Sequence, residues 1–167
     1  MDTGKKEKYK LKRIFSAGGV VYRKNKNILW LVTKSTPSKL YPKSVWRLPK
    51  GWLDDTNIGN LPGSLARGEK KATDKELRQA AIKEVKEEGG VKAKIKSKIG
   101  TITFFFNQDK QKYLKFVTFF LMEWEKNLKK GFGRETQETK WLPFKKATKI
   151  LSYKSEREIL KKAASLL

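Results

Sequence analysis

One segment, residues 73–88, carries complete start and stop signals for a single helix, and strand-like sequence lies on both sides of it. Thr73 with Glu76 forms a capping box, in which each side chain satisfies a free backbone N–H of the other. Gly89 and Gly90 follow, and glycine takes the left-handed conformation that ends helices at little cost. A helix embedded between strands predicts a sheet that needs helical cover on its faces.

The flanking segments have a β-like pattern and are separated by turn-prone residues, 24–27 after the first strand and 108–111 between the two long ones. Predicted strands cover residues 14–23, 28–34, 45–48, 92–107, 112–125 and 139–142. Predicted helices in the tail cover residues 145–151 and 155–167. This order predicts an α/β (α+β) fold with a central mixed sheet between helices, in a single domain of residues 14–167 after a basic tail of residues 1–13.

The composition restricts the chemistry. The chain has no cysteine and no histidine, so a metal must be bound through oxygen and a catalytic base must be a carboxylate, lysine, tyrosine or water. The longest apolar runs, such as residues 116–122, are too short to cross a bilayer, and the N-terminus is polar. We expect a cytoplasmic protein that does not enter membranes, and the pattern predicts no particular oligomeric state.

The net charge of +23 comes from 40 basic and 17 acidic residues. Such an excess favours a polyanionic partner, which would be a nucleotide, a nucleic acid or another polyphosphate. The lysines are spread along the chain and form no single block, so a merely lysine-rich solvated surface is an equal alternative.

The predicted helix carries three glutamates, Glu84, Glu87 and Glu88, at positions i, i+3 and i+4, which share one face. Three adjacent carboxylates repel one another, and a hard divalent cation such as Mg²⁺ or Mn²⁺ would relieve the repulsion and bind phosphate oxygens. Glutamate-rich solvated helix faces are common, so the triplet needs support from its surroundings.

The surroundings resemble the Nudix box, G-x5-E-x7-R-E-U-x-E-E-x-G-U, in which U is aliphatic. Residues 48–51 (LPKG) match its start and residues 83–91 (KEVKEEGGV) match its second half. Residues 16–21, 100–102, 119–123 and 141–143 are similar to the family's other strands. The resemblance implies a Nudix-type α/β/α sandwich and a hydrolase of diphosphate linkages. It is strongest to the branch that acts on diadenosine polyphosphates and other nucleoside polyphosphates.

Two departures from the box stand out. From Gly51 to Lys83 there are 32 positions where the motif has 14, so about 18 extra residues lie in an insertion at about 55–74. The first box glutamate falls on Lys75, with Glu69 and Glu76 as possible substitutes. A surface excursion is a simpler explanation of the insertion than a lid or a partner contact. Lys83 replaces the box arginine, which keeps the charge but loses the two-pronged geometry.

The resemblance also implies roles. Glu84, Glu87 and Glu88, with the backbone carbonyl of Lys50, would bind Mg²⁺ or Mn²⁺, and Lys83 would hold a catalytic glutamate in place. Candidates for the base are Glu84, Glu123 and a residue of the loop 135–138. Candidates for substrate binding are Arg47, Lys39, Lys43 and Tyr153.

Several activities fit these residues. The favoured one is Mg²⁺-dependent hydrolysis of dinucleoside polyphosphates or NTP-like compounds. An RNA 5′-pyrophosphohydrolase is the main alternative because RNA would match the +23 charge. Oxidised dNTPs and ADP-ribose remain open as substrates, and the replacement of arginine by Lys83 also permits a non-catalytic module that binds a nucleotide or nucleic acid.

Overall fold

The computed structural model describes residues 10–39, 41–56 and 58–167. Within them lie nine strands and three helices. The strands are β1 (Lys12–Asn25), β2 (Asn27–Ser35), β3 (Trp46–Arg47), β4 (Lys50–Trp52), β5 (Asp55–Thr56), β6 (Leu61–Pro62), β7 (Val91–Gln108), β8 (Gln111–Asn127) and β9 (Thr136–Leu142). The helices are α1 (Asp74–Gly89), α2 (Phe144–Ile150) and α3 (Lys154–Ser165).

Seven of these strands form one mixed sheet, as the sequence predicts. Its main order is β3-β2-β1-β8-β7, with β4 paired to β1 and β9 paired to β2. Strands β1 and β8 run parallel, from Lys12 beside Tyr113 to Tyr22 beside Glu123, whereas the other pairs are antiparallel. The parallel pair places the N-terminal strand in the middle of the sheet, where it contacts both halves of the chain.

The sheet has a hydrophobic core on each face. One core lies against α2 and α3 and includes Trp30, Phe119 and Leu160. The other lies against α1 and includes Leu31, Val85 and Phe120. Alternate residues of a strand point to opposite faces, so Phe119 and Phe120 serve different cores. The predicted α/β/α sandwich is confirmed.

Helix α1 has the predicted ends. Thr73 Oγ1 accepts a hydrogen bond from the Glu76 N–H at 3.1 Å, and Glu76 Oε1 accepts one from the Thr73 N–H at 3.1 Å. Gly90 ends the helix with φ +67°, in the left-handed region, and its N–H bonds to the Lys86 carbonyl. The capping box therefore sets where the glutamates fall on the helix surface.

The extra residues in the box form an ordered excursion. Strands β5 and β6 pair as a short hairpin. The Asp54 carboxylate accepts hydrogen bonds from the N–H groups of Leu65 and Ala66 at 3.0 and 2.8 Å. Ala66 is fully buried, and its carbonyl accepts the Phe15 N–H at 2.8 Å. The insertion is thus packed against β1 and hydrogen-bonded to it.

Some predicted boundaries differ from the structure. Strand β1 begins at Lys12, so Lys12 and Arg13 belong to the sheet and not to the basic tail, because pairing with β8 extends the strand. Strand β3 is shorter than the predicted 45–48, and the short strands β4, β5 and β6 have no two-residue alternation to reveal them. The predicted tail at residues 1–9 lies outside the described residues. No helix in the described part of the chain is long and apolar enough to span a membrane.

Candidate active site

Two of the predicted carboxylates lie buried between α1 and the sheet. Glu84 is 8% exposed and Glu88 is 3% exposed. They are one helical turn apart and so stand on the same side of α1. The Glu84 carboxylate occupies the space that a side chain at position 51 would fill, so only glycine in β4 allows this approach. We call Glu84, Glu87 and Glu88 the carboxylate face.

Two basic residues that precede α1 in the sequence, Arg47 in β3 and Lys50 in β4, contact Glu88. The Arg47 guanidinium lies with Nη2 3.3 Å from Glu88 Oε1. The backbone N–H of Lys50 donates to Glu88 Oε2 at 3.0 Å. The predicted substrate residue Arg47 therefore holds a carboxylate in this structure, while its buried Nε has no hydrogen-bond partner among the described residues.

The start of α3 completes this side of the site. Glu156 is 1% exposed, pairs with the Lys50 ammonium and accepts the Leu48 N–H at 2.6 Å. The Lys50 ammonium also lies 5.5 Å from the ring centre of Tyr153. The structure thus brings Tyr153 together with Lys50, and Glu156 fixes the strand end that carries Arg47 and Lys50.

Lys115, on β8, is a further cation of the site. Burial, and then the neighbouring charge of Lys50, lower the pKa of the Lys115 ammonium to about 8. The charges of Glu88, Arg47 and Glu156 act on it as well. We call Arg47, Lys50 and Lys115 the cation cluster.

Glu87, the third carboxylate of the face, pairs with Lys83. Its Oε1 lies 3.8 Å from the Lys83 ammonium, which also lies 3.6 Å from Asp55 Oδ2. Burial alone would lower the pKa of Lys83, but the charges of Glu87 and Asp55 outweigh it and raise the pKa. Lys83 therefore joins α1 to the insertion through Asp55.

The carboxylate face is electrostatically costly without a bound cation. Burial raises the pKa of the Glu84 carboxyl to about 8, and the charges of Glu88 and Glu87 add to the shift. Burial also raises the pKa of Glu88 to about 7, although Arg47 and the Lys50 N–H oppose the change. In both residues the folded chain favours the neutral carboxyl.

Other predicted residues lie elsewhere. Glu123 accepts a hydrogen bond from the Tyr22 hydroxyl at 3.3 Å and lies 3.6 Å from the Lys96 ammonium. It is eight residues beyond Lys115 on the same strand, or about 26 Å at the rise of a strand. Lys39 and Lys43 lie exposed in the loop between β2 and β3.

The predicted loop 135–138 is wrong beyond Glu135, because pairing with β2 extends β9 back to Thr136. The glutamates of this segment and the substitutes for the first box glutamate also have different surroundings. The charge of Glu135 acts on both Glu84 and Glu88, whereas Glu138 lies 4.0 Å from Lys140. Glu69 pairs with Arg67, and Glu76 caps α1, so neither contacts the carboxylate face. Asp55, at the start of the insertion, contacts Lys83 instead.

A NUDIX domain model matches residues 12–163 of the sequence. The chain belongs to the Nudix family. The predicted family is thereby confirmed. Membership explains why a helix with three glutamates follows a Pro-Lys-Gly strand, since that pairing is the Nudix box, here with an insertion between the two parts.

Individual Nudix relatives are distant. MutT4 of Mycobacterium tuberculosis (strain CDC 1551 / Oshkosh) is 28% identical over 123 residues, or 74% of this chain, but this chain spans only 42% of the length of MutT4. The C. elegans Ap4A hydrolase in a binary complex has a TM-score of 0.57 and 21% identity, over 92% of this chain and 96% of that one. A NUDIX hydrolase from Nitrosomonas europaea has a TM-score of 0.64 and 14% identity, over 92% and 90%. These structures share the fold.

Nudix hydrolases generally use divalent metal ions, and the donors present here suit one. Buried carboxylates with raised pKa values gain most from a nearby cation, and oxygen ligands suit hard cations. The described residues nevertheless form no ready group of three acidic ligands, because Lys83 and Arg47 hold Glu87 and Glu88. The Glu87 side chain is 55% exposed, and its contact with Lys83 is 3.8 Å long. The oxygen donors of Glu84, Glu87 and Glu88 therefore suit a divalent ion by their chemistry, while Glu87 and Glu88 also pair with basic residues.

The sequence analysis did not predict Lys115 and Glu156 as residues of the Nudix site. The same sequence pattern marks both of them. Lys115 shares a strand face with the buried Val117 and Phe119, and Glu156 shares a helix stripe with the buried Ile159 and Leu160. A charged side chain at an inward position of an apolar pattern indicates a buried partner or a ligand. Asp55 had no such signal, because its position depends on the insertion hairpin.

Proposed function

We propose that this chain hydrolyses the diphosphate linkage of a nucleoside polyphosphate, with Mg²⁺ or Mn²⁺ as the cation. The substrate would be a dinucleoside polyphosphate or a compound like an NTP. One observation carries the proposal. The buried carboxylates Glu84 and Glu88 adjoin the cation cluster, so ligands for a metal and ligands for phosphate stand side by side.

The cation cluster suits a chain of phosphates. Lys115 keeps a partly buried ammonium beside Lys50 and Arg47 although burial opposes its charge. An anionic ligand would stabilise that charge, and charge-assisted hydrogen bonds to phosphate are among the stronger ones. Arg47 Nε is also a buried donor in need of an acceptor. We assign Arg47 and Lys115 to the phosphate oxygens, and Tyr153, beside Lys50, to the edge of the substrate.

In the proposed reaction a water molecule attacks phosphorus, the P–O bond of the anhydride breaks, and the leaving phosphate departs as the second product. A divalent ion held by Glu84, Glu87, Glu88 and the Lys50 carbonyl would neutralise phosphate oxygens and acidify the attacking water. Glu84 would accept the proton of that water, with Glu135 as the alternative base because its charge acts on the same carboxylates. Binding of the ion would draw Glu87 away from Lys83, and Lys83 would then hold Asp55 of the insertion beside α1.

The substrate class draws on similarity alone. The fold is shared with an Ap4A hydrolase, and the sequence is related to MutT4 over 123 residues. Of these two, the likeness to the Ap4A hydrolase, together with the resemblance carried by LPKG, favours nucleoside polyphosphates. The cytoplasmic location stays a prediction.

The test is phosphate or nucleotide release from a panel, with and without Mg²⁺. The panel holds diadenosine tetraphosphate, ATP, oxidised dNTPs, ADP-ribose, NADH and triphosphorylated RNA. We expect Mg²⁺-dependent cleavage of at least one nucleoside polyphosphate, reduced by about 10²-fold or more in Glu84→Gln and Glu88→Gln. Glu158→Gln, an exposed glutamate of α3, is the matched control. Equal turnover in all four proteins would refute the proposal.

A second candidate is an RNA 5′-pyrophosphohydrolase, which the net charge of +23 favours. A protein that contacts many RNA phosphates loses affinity steeply with salt, because each neutralised phosphate releases a counterion. If RNA is the substrate, KM for triphosphorylated RNA rises much more steeply between 50 and 200 mM salt than KM for ATP. Equal salt dependence would favour the free nucleotide.

A non-catalytic nucleotide-binding domain is the third candidate. It is favoured by the pairs Arg47–Glu88 and Lys83–Glu87, which hold two of the three carboxylates. Binding of a panel compound without cleavage, at any Mg²⁺ concentration, would identify this function.

A further inference from the structure

A pocket adjoins the carboxylate face at Glu87, which lines it. Its volume is about 340 Å³. We call it the α1-loop pocket, because its lining comes from α1 and from the loop that follows β8. The lining residues are Lys83, Lys86, Glu87, Leu128, Lys130, Gly131, Phe132 and Gly133.

The loop is fixed to the end of α1 by backbone hydrogen bonds. The Gly133 N–H donates to the Glu87 carbonyl at 2.6 Å, and the Leu128 N–H donates to the Gly90 carbonyl at 2.9 Å. Within the loop, the Gly131 N–H donates to the Leu128 carbonyl at 3.0 Å. Backbone hydrogen bonds therefore fix the two walls of the pocket relative to each other, which lowers the cost of ordering them around a ligand.

The lining combines apolar surface with positive charge. Phe132, 38% exposed, and Leu128 supply apolar walls. Lys83, Lys86 and Lys130 bring three positive charges against the one negative charge of Glu87. An aromatic wall beside several cations suits a ligand that has a flat ring at one end and phosphate at the other. Small-molecule pockets begin at about 300 Å³, so this one holds about one nucleoside.

The position links the pocket to the proposed reaction. Glu87 belongs both to the pocket lining and to the carboxylate face, and its partner Lys83 also lines the pocket. Arg47 and Lys50, in contrast, contact Glu88. A substrate whose diphosphate lies over the carboxylate face could thus have phosphates on the cation cluster and a nucleoside in the α1-loop pocket.

We propose that the α1-loop pocket binds the nucleoside on one side of the scissile diphosphate, with its base against Phe132 and its phosphate beside Lys86 and Lys130. This inference rests on the proposed function, since it assigns one half of that substrate. It also explains why an aromatic side chain is left partly exposed next to three lysines.

The experiment measures ligand affinity by calorimetry with Mg²⁺ present, using AMP and inorganic pyrophosphate as probes. Phe132→Ala should weaken AMP binding about tenfold, because stacking of a base on an aromatic ring is lost, and should leave pyrophosphate affinity unchanged. Lys130→Ala should weaken both ligands. KM for diadenosine tetraphosphate should rise about tenfold in Phe132→Ala while kcat stays within about twofold.

Matched controls remove the same groups elsewhere. Phe105→Ala truncates an exposed phenylalanine on β7, and Lys149→Ala removes an exposed lysine on α2. Both should behave as wild type. Phe132→Leu keeps apolar bulk and loses the ring, so it replaces Phe132→Ala if that variant unfolds.

The outcomes separate the two ideas. Unchanged AMP affinity in the Phe132 variants, or an equal loss in Phe105→Ala, would overturn the pocket assignment even if the chain cleaves nucleotides. AMP binding that depends on Phe132, in a chain that cleaves nothing in the panel, would keep the pocket and refute the proposed function.

Discussion

Replacing Glu84 by glutamine should stabilise the metal-free protein while abolishing its activity. In the folded chain the Glu84 carboxyl has a pKa of about 8, against 4.5 for an ordinary glutamate. Its neutral form is thus favoured by folding. The resulting stability is complete below pH 4.5 and is lost as the pH rises through 8. Glutamine keeps the shape of the side chain and has no charge to bury.

The magnitude follows from the shift. At about 1.4 kcal/mol per pKa unit, ionising Glu84 lowers the free energy of unfolding by about 3 kcal/mol at pH 7, and by about 5 kcal/mol well above pH 8. Glu88, whose pKa is raised to about 7, adds a dependence of the same sign. Glu84→Gln should therefore remove part of the fall in the free energy of unfolding with pH and leave the part that is due to Glu88.

The assay is urea denaturation in EDTA from pH 5 to pH 9. Wild type and the control Glu158→Gln should lose several kcal/mol across this range, and Glu84→Gln should lose clearly less. Adding Mg²⁺ at pH 8 should restore stability to wild type but much less to Glu84→Gln, because a bound ligand stabilises the state that binds it. Wild-type stability that is constant or increases from pH 5 to pH 8 would refute this account of the carboxylate face.

Further predictions concern the residues around the carboxylate face. Glu156→Ala should lower the free energy of unfolding by about 3–5 kcal/mol, because it leaves the buried Lys50 ammonium and the Leu48 N–H without their acceptor. Urea denaturation measures this against the control variant Glu158→Ala. Equal stability of the two variants would contradict the prediction. Lys115→Met should raise KM about tenfold, with Lys112→Met as the exposed control. Since the pKa of Lys115 is about 8, wild-type KM should also rise above that pH, whereas a flat profile would exclude a charged role for Lys115. Lys83→Met should lower kcat about tenfold, because the pair with Asp55 that holds the insertion beside α1 is lost. Lys92→Met, which breaks the exposed pair with Glu125, should leave kcat unchanged.

Much of the fold follows from local patterns. The capping box and Gly90 predict both ends of α1, and the turn at Asp109 and Lys110, both with positive φ, lies where the sequence predicts it between β7 and β8. Short strands escape prediction because two or three residues show no alternation. Strand β4 forms only because β1 is there to pair with it.

The candidate site likewise contains residues that the local sequence predicts and residues that it does not. Helical spacing predicts that Glu84 and Glu88 share a side of α1, and the resemblance to the Nudix box predicts Arg47 and Lys50 near them. Local spacing cannot reveal which distant side chains arrive at the same place. Lys115 and Glu156 come from β8 and α3, and Asp55 comes from the insertion, so their places depend on the register of the sheet and on helix packing. Glu123 is the opposite case. The family resemblance made it a candidate base, but it contacts Tyr22 and Lys96 instead of the carboxylate face.

The most direct test of the central claim is an anomalous difference map from crystals grown with Mn²⁺ and a non-hydrolysable diadenosine tetraphosphate. We predict a peak about 2.1 Å from carboxylate oxygens of Glu84, Glu87 and Glu88, with Glu87 turned away from Lys83 and the phosphates against Lys115. A map with the manganese bound elsewhere, and with the pairs Lys83–Glu87 and Arg47–Glu88 unbroken, would contradict it.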